Sequence, residues 1–277
     1  MCIRDSLRPE VFPYDLPPLA GRMRLSPARK LHIERLDGNR GGLGLSVSGT
    51  VHASGEKPVL RLNITAAGLP VDDRLAKALP EAAREGLAEA GLAGGTIDVG
   101  LSVRGAADEI DVDADVTLRG CSARPKAFPY PIEKLSGRVQ WAEKTKTLTL
   151  ESVVGFHEAT RLAASGQMRL SQPQRPAFQL ALQANNLVLD EKLRAALPAE
   201  WQKLWKQHQP RGSIDVRGHL TSTDEGKLTF QGMTTLRGCS LVAAELPRRL
   251  DDITGTVEIG PGAIRPVSYT HLTLPTN

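Results

Sequence analysis

The chain has 277 residues, enough for one large core or two smaller ones, but only 4% are aromatic, so small and medium apolar side chains must do most of the packing. Its 35 basic and 31 acidic residues leave a formal charge of +4 with no basic cluster, which excludes a nucleic-acid footprint. Of three cysteines, Cys2 lies in the leader, and Cys121 and Cys239 form neither a dense disulfide framework nor a CxxC metal pair.

The first six residues, Met1-Cys2-Ile3-Arg4-Asp5-Ser6, and residues 267–277 look foreign to what lies between them. Both resemble translated sequencing-adapter read-through at the ends of metagenomic reading frames. On that reading the natural protein continues in both directions, and both stretches are set aside in predicting the fold.

Next in the chain, Phe12-Pro13-Tyr14 precedes a strand start at Leu19-Ala20-Gly21-Arg22. The succession returns as Phe128-Pro129-Tyr130 with Leu135-Ser136-Gly137-Arg138. A weaker form stands at Leu246-Pro247 with Ile253-Thr254-Gly255-Thr256, so the prolines are spaced by 116 and 118 residues. Thr117-Leu118-Arg119-Gly120-Cys121-Ser122 recurs 118 residues later as Thr235-Leu236-Arg237-Gly238-Cys239-Ser240. Gly95-Thr96-Ile97-Asp98-Val99 returns as Gly212-Ser213-Ile214-Asp215-Val216, and Asp73 to Pro80 matches Glu191 to Pro198. Ordered matches at one offset predict tandem units of about 118 residues: 7–127, 128–245, and the start of a third at 246–266.

Within a unit the dominant period is two. Val139 and Trp141 alternate with Arg138 and Gln140, Leu148 and Leu150 with Thr147 and Thr149, and Phe178, Leu180 and Leu182 with Gln179, Ala181 and Gln183. These are half-buried strands, about six to a unit, joined by short turns that favour antiparallel neighbours. One segment per unit breaks the period. Residues 72–92 carry a helical stripe of Leu75, Leu79, Ala83 and Leu87. Residues 190–209 repeat it, with Asp190 as N-cap, Pro198 opening a second helical stretch, and Trp201, Leu204, Trp205 and His208 on one face. The predicted class is mainly β with helical inserts, the units forming one long curved antiparallel sheet.

Two copies in one chain supply an internal control, because a residue that shapes the unit should repeat. The alternating acids Glu109, Asp111, Asp113 and Asp115 suggest a hard-cation site. At the repeat offset they become Lys227, Thr229, Gln231 and Met233, while the apolar partners persist, so the acids read as a solvated strand face and no metal is expected. Cys121 and Cys239 repeat and read as small buried hydrophobes. Six strands at about 4.8 Å would separate them by about 29 Å, far beyond disulfide reach.

Other motifs fail. Gly44-Leu45-Ser46-Val47-Ser48-Gly49 lacks the glycine two after the serine that a nucleophile elbow needs. His157-Glu158 lacks the second histidine of a zinc-protease helix, and no glycine-rich loop precedes a lysine. His32, His52, His157 and His219 fall in strand segments, where a surface or edge place is expected. Trp201 and Trp205 read first as the residues that dock their helix on the sheet, and second as a lipid contact. No convergent polar set survives, so neither enzyme chemistry nor a cofactor is expected.

The proline-marked start, Leu135-Ser136-Gly137-Arg138-Val139, Leu148-Thr149-Leu150-Glu151, and Ala164-Ser165-Gly166-Gln167-Met168 together resemble the AsmA-like and TamB-like envelope proteins, over nearly all of residues 7–265. The resemblance implies a curved sheet, apolar inside its groove, in the periplasm of a bacterium with two membranes. It further implies phospholipid acyl chains as partners, a membrane anchor through a missing N-terminus, and links to inner and outer membrane through missing parts of the chain. Candidate groove residues are Val139, Leu148, Leu150, Leu162, Phe178, Leu180, Leu182, Ile214 and Val216. The other expectation is a structural or adhesive repeat protein whose apolar faces close on one another.

Overall fold

Strands of period two joined by short turns can hydrogen-bond only to the strand before and the strand after. In the computed structural model, fourteen strands accordingly follow one another in chain order in one antiparallel sheet. The structure describes residues 14–53, 58–106, 109–170, 177–222, 228–242, 249–260 and 263–273. The leader 1–6, Phe12, Pro13, Lys227, Leu246, Pro247 and residues 274–277 lie outside them.

The chain divides into two compact units, one reaching to Cys121 and including Ser136–Thr149, the other holding Ser122–Leu135 and everything described from Leu150 onward. The first contains β1 (Ala20–Leu25), β2 (Lys30–Arg40), β3 (Leu43–His52), β4 (Val59–Pro70), α1 (Asp73–Ala78), α2 (Glu81–Ala90), β5 (Thr96–Ala106) and nearly all of β6 (Glu109–Ala123). Two strands, β7 (Ile132–Ala142) and β8 (Thr147–His157), contribute residues to each. The second unit continues with β9 (Thr160–Arg169), β10 (Ala177–Val188), α3 (Glu191–Ala196), α4 (Ala199–His208), β11 (Arg211–Ser222), β12 (Leu228–Val242), β13 (Arg249–Gly260) and β14 (Ala263–Thr273). β14 runs through residues 267–273, part of the foreign-looking end.

β4 shows how the pattern becomes structure. Leu60, Leu62, Ile64 and Ala66 are half-buried, while Arg61, Asn63, Thr65 and Ala67 between them are exposed. Glycine enters where two strands approach too closely for a side chain. Gly49, at the end of the rejected elbow motif, has φ +138°, and a Cβ there would lie 2.1 Å from the Arg61 carbonyl oxygen. Gly166 has φ +136° and would meet the Gln179 carbonyl at the same 2.1 Å. Both glycines are strand residues held by backbone contact.

The strand before each helical insert carries a bulge. The β4–β5 register slips between Ala66 and Leu69, and the β10–β11 register between Ala184 and Leu187. The bulges place Gly68 at φ +72° and Asn186 at φ +54°, the left-handed region that glycine and asparagine tolerate best. A bulged residue loses its ladder partner, and a carboxylate on the next strand supplies one. Asp98 accepts the Gly68 N–H at 2.9 Å and Asp215 accepts that of Asn186 at 2.7 Å. The second carboxylate oxygen of each accepts an arginine Nε, Arg119 at 2.7 Å and Arg237 at 2.8 Å. The backbone N–H, followed by the guanidinium, holds both carboxyls below the usual carboxylate range.

The inserts then start and break for local reasons. Asp72 caps α1 by accepting the N–H groups of Arg74 and Leu75, and Asp190 caps α3 by accepting that of Leu193. Leu79 and Leu197 precede prolines, which force them to ψ 145° and 153° and end the helix. Each insert is therefore a pair of short helices, with α4 opening after Pro198 as the sequence predicts and α2 opening after Pro80 at the same place in the first unit. α1 buries Leu75 and Ala78, and α3 buries Leu193 and Ala196 at the same positions.

Cys121 and Cys239 are buried free thiols beside these inserts. Cys121 donates to the Thr96 carbonyl at 3.6 Å, Cys239 to that of Ser213 at 3.3 Å, and burial pushes both thiols up. Only glycine fits against them: a Cβ on Gly212 would stand 2.8 Å from the Cys239 Cα.

Asp215→Ala removes the acceptor for a bulge N–H and a guanidinium, and should lower stability by about 1–3 kcal/mol in urea unfolding at pH 7. A depressed carboxyl pKa stabilises fully above the unfolded value of about 3.9 and loses its effect as pH falls through the folded value. The gap between wild type and variant should therefore hold steady from pH 5 to 8 and narrow below pH 4. A gap that does not change down to pH 2 contradicts the pin.

Candidate functional site

Residues directly opposite one another on neighbouring strands share a face. In the first unit, Leu60, Leu62, Ile64 and Ala66 stand opposite Val51, Gly49, Val47 and Leu45 of β3, and opposite Gly105, Val103, Leu101 and Val99 of β5. β6 extends the rows with Ile110, Val112, Ala114 and Val116. Not one polar side chain interrupts these four strands over that span. The reverse face is polar: Arg61, Asn63 and Thr65 pair with Thr50, Ser48 and Ser46, and with Arg104, Ser102 and Gly100.

The second unit builds the same face. Phe178, Leu180, Leu182 and Ala184 of β10 lie opposite Met168, Gly166, Ala164 and Leu162 of β9, and opposite Ser222, Leu220, Gly218 and Val216 of β11. β12 continues with Leu228, Phe230, Gly232 and Thr234, and Ile214 pairs with Leu187 and Leu236 beyond the bulge. Six of the nine residues nominated from sequence (Leu162, Phe178, Leu180, Leu182, Ile214 and Val216) thus come together on one surface. Val139 in β7 and Leu148 and Leu150 in β8 are half-buried; Val139 and Leu148 belong to the first unit and Leu150 to the second. Sequence reasoning missed Leu220 and Phe230, and the whole equivalent face of the first unit, although the alternation in β4 was legible.

Each face is closed at one end and open at the other. Tyr130, Leu193 and Ala196 form a buried cluster against which Phe128, Leu162, Leu187, Leu189 and Trp205 pack. Leu162 and Leu187 belong to the apolar rows, so the helical pair docks on that side of the sheet, at the end nearest the bulges. In the first unit Leu69, Ile97 and Leu118 stand opposite one another beyond the bulge and are buried, as are Leu75 and Ala78 of α1 and Cys121 of β6. Beyond them Leu60 to Ala66, Val99 to Val103 and Phe178 to Leu182 stay half-buried, and at the far end Ile110 is 44% and Leu228 57% exposed. With strands about 4.8 Å apart and same-face residues about 6.8 Å apart, the sixteen positions of four such strands cover on the order of 500 Å² in one unit. That lies toward the upper end of the largest patches monomeric proteins leave exposed.

The other candidates resolve differently. Asp115 accepts hydrogen bonds from Arg138 (Nε, 2.7 Å) and Gln140 (3.2 Å), and the arginine holds its carboxyl below the usual range. Asp113 accepts the Glu143 N–H at 3.1 Å, and Lys144 stands 4.0 Å from Asp111. The acidic row is thus the strand-side half of a polar ladder between β6 and β7.

His157 does not take the surface place expected of it. It is 6% exposed, edge-on to the buried Tyr130 at 4.6 Å between centroids, with Nε2 3.5 Å from Lys192 Nζ. Lys192 in turn donates to Glu158 at 2.7 Å. The ring fills the space between Tyr130 and α3, a long-range contact that period two cannot register. His32 and His219 are exposed and His52 half-buried.

The two tryptophans separate. Trp205 packs against the Tyr130 cluster, as its helical spacing predicted, whereas Trp201 is 48% exposed.

No family model, curated protein or solved structure matches the chain.

Trp205→Ala should cost about 2–4 kcal/mol by opening the cluster, and Trp201→Ala less than about 0.5 kcal/mol. Thermal unfolding of both variants checks this; equal losses would mean that Trp201 also belongs to the core.

Proposed function

We propose that the protein handles lipid, taking phospholipid acyl chains on the apolar face of its sheet, as an AsmA-like or TamB-like component of a bacterial cell envelope acting in the periplasm. The observation that carries this reading is the apolar surface of β3 to β6, uninterrupted by polar side chains, and its counterpart of β9 to β12, interrupted at Ser222 and Thr234, both largely half-buried and without a second layer of strands within either unit among the described residues. A structural repeat protein with a closed core would bury those residues against a partner sheet, and they are not so buried.

The energetics suit a carrier. Removing about 500 Å² of such a face from water is worth roughly 12 kcal/mol at 25 cal/mol per Å², before ordering costs. An acyl chain gains about 0.8 kcal/mol per methylene, so fifteen methylenes reach about the same figure. A chain leaving a bilayer forfeits that same amount. Transfer from bilayer to sheet is then close to balanced, and lipid is held without being trapped.

Mass spectrometry of solvent extracts from the purified, folded protein should recover phospholipid. Leu180→Asp and Leu182→Asp, which place a charge in the middle of the second unit's face, should lower lipid occupancy at least fivefold while the strand signal in circular dichroism persists. Recovery of no phospholipid from wild type, or unchanged occupancy in both folded variants, sinks the proposal.

A further inference from the structure

The two helical inserts have the same backbone, and the residues they do not share point beyond the fold. At the 118-residue offset Trp205, which packs against the Tyr130 cluster, replaces Leu87, and both are half-buried. Trp201, Lys203 and Leu204 replace Ala83, Glu85 and Gly86. The fold is complete in the first unit with small or acidic residues there, yet α4 leaves Trp201 48% and Leu204 49% exposed. Two large apolar side chains one helical turn apart, held in water, serve something other than folding.

Charge identifies the occupant. α2 carries Glu81, Glu85 and Glu89 against Arg84, while α4 carries Glu200 against Lys203 and Lys206. Neither lysine has an ion-pair partner among the described residues, whereas the neighbouring Lys192 and Arg194 are matched to Glu158 and Glu191. The helix is also fixed in place: His208 Nδ1 lies 2.9 Å from the Val242 carbonyl and Trp205 sits in the cluster. A rigid edge of tryptophan and leucine flanked by uncompensated lysines matches the boundary of an anionic bilayer, where indole sits at headgroup depth and lysine meets lipid phosphate.

We propose that α4 docks the second unit on an anionic membrane surface through Trp201 and Leu204, with Lys203 and Lys206 supplying the preference for negative headgroups. The inference deepens the lipid reading by naming where the protein meets the bilayer. So small a foot gives reversible, salt-sensitive contact.

The test is flotation of the full chain with vesicles of phosphatidylglycerol and phosphatidylcholine (1:1), or of phosphatidylcholine alone, at low ionic strength. Wild type should float at least tenfold more with the anionic vesicles, with a blue shift of tryptophan emission. Trp201→Ala with Leu204→Ala should cut flotation at least fivefold and remove the shift; Lys203→Glu with Lys206→Glu should abolish the headgroup preference. All variants should keep the wild-type unfolding temperature and extracted lipid content. Leu180→Asp should still float, which separates failure of this docking from failure of the acyl-chain face. Undiminished flotation of the Trp201/Leu204 variant overturns the proposal, as does wild type that stays with the buffer. So does a vesicle-independent dimer that the variant loses, which would assign the edge to a second copy.

Discussion

Everything in this fold follows from strands whose apolar residues point one way and, among the described residues, meet no second layer of strands within their unit. A sandwich buries such faces against each other, and a closed barrel uses curvature to fill its interior. Here sequential pairing satisfies the backbone, polar pairs cover one face, and the other keeps a surface that water wets at a cost. The protein closes that surface only where the helical pairs dock, at the bulged ends of β4 and β10. Most of its full burial is concentrated there, in Leu75 and Leu118 with their neighbours and in Tyr130 with Leu193.

Holding a helical insert at a fixed point along a sheet requires breaking a ladder without leaving its amides unpaired. Asp98 and Asp215 solve this in the same way, each spending one oxygen on a bulge N–H and the other on an arginine from the next strand. The insert can then vary in its exposed residues without disturbing the strands. Variation is what α2 and α4 display: identical helical spans at the repeat offset, one acidic and small-sided, the other carrying Trp201 and Leu204. The constant parts locate the helix and the variable parts give it a surface.

Strand identity, antiparallel order and the place of both inserts were legible because short-range periodicity and turn length determine them. Asp190 could be read as a cap and Pro198 as a helix start from local chemistry alone. The break at Leu79 was equally local, and Pro80, the repeat mate of Pro198, was its signal. Asp98 and Arg119 stood inside repeated motifs, yet their joint purpose depends on a bulge in β4, one strand from Asp98 and two from Arg119, which no periodicity reports. The burial of His157 against Tyr130 was illegible for the same reason. Which apolar residues would remain uncovered could not be read either, since an alternating strand looks alike whether its inner face meets another sheet or none.

The central claim is that the apolar face of each unit is open to acyl chains, and photocrosslinking along one strand tests it most directly. Benzoylphenylalanine placed singly at each position from 60 to 66 of β4, in the protein expressed in a bacterium with two membranes, reports what each side chain touches. The account predicts lipid adducts at Leu60, Leu62, Ile64 and Ala66 and none at Arg61, Asn63 and Thr65. Adducts to protein at the even positions, or lipid adducts without a two-residue period, would contradict it.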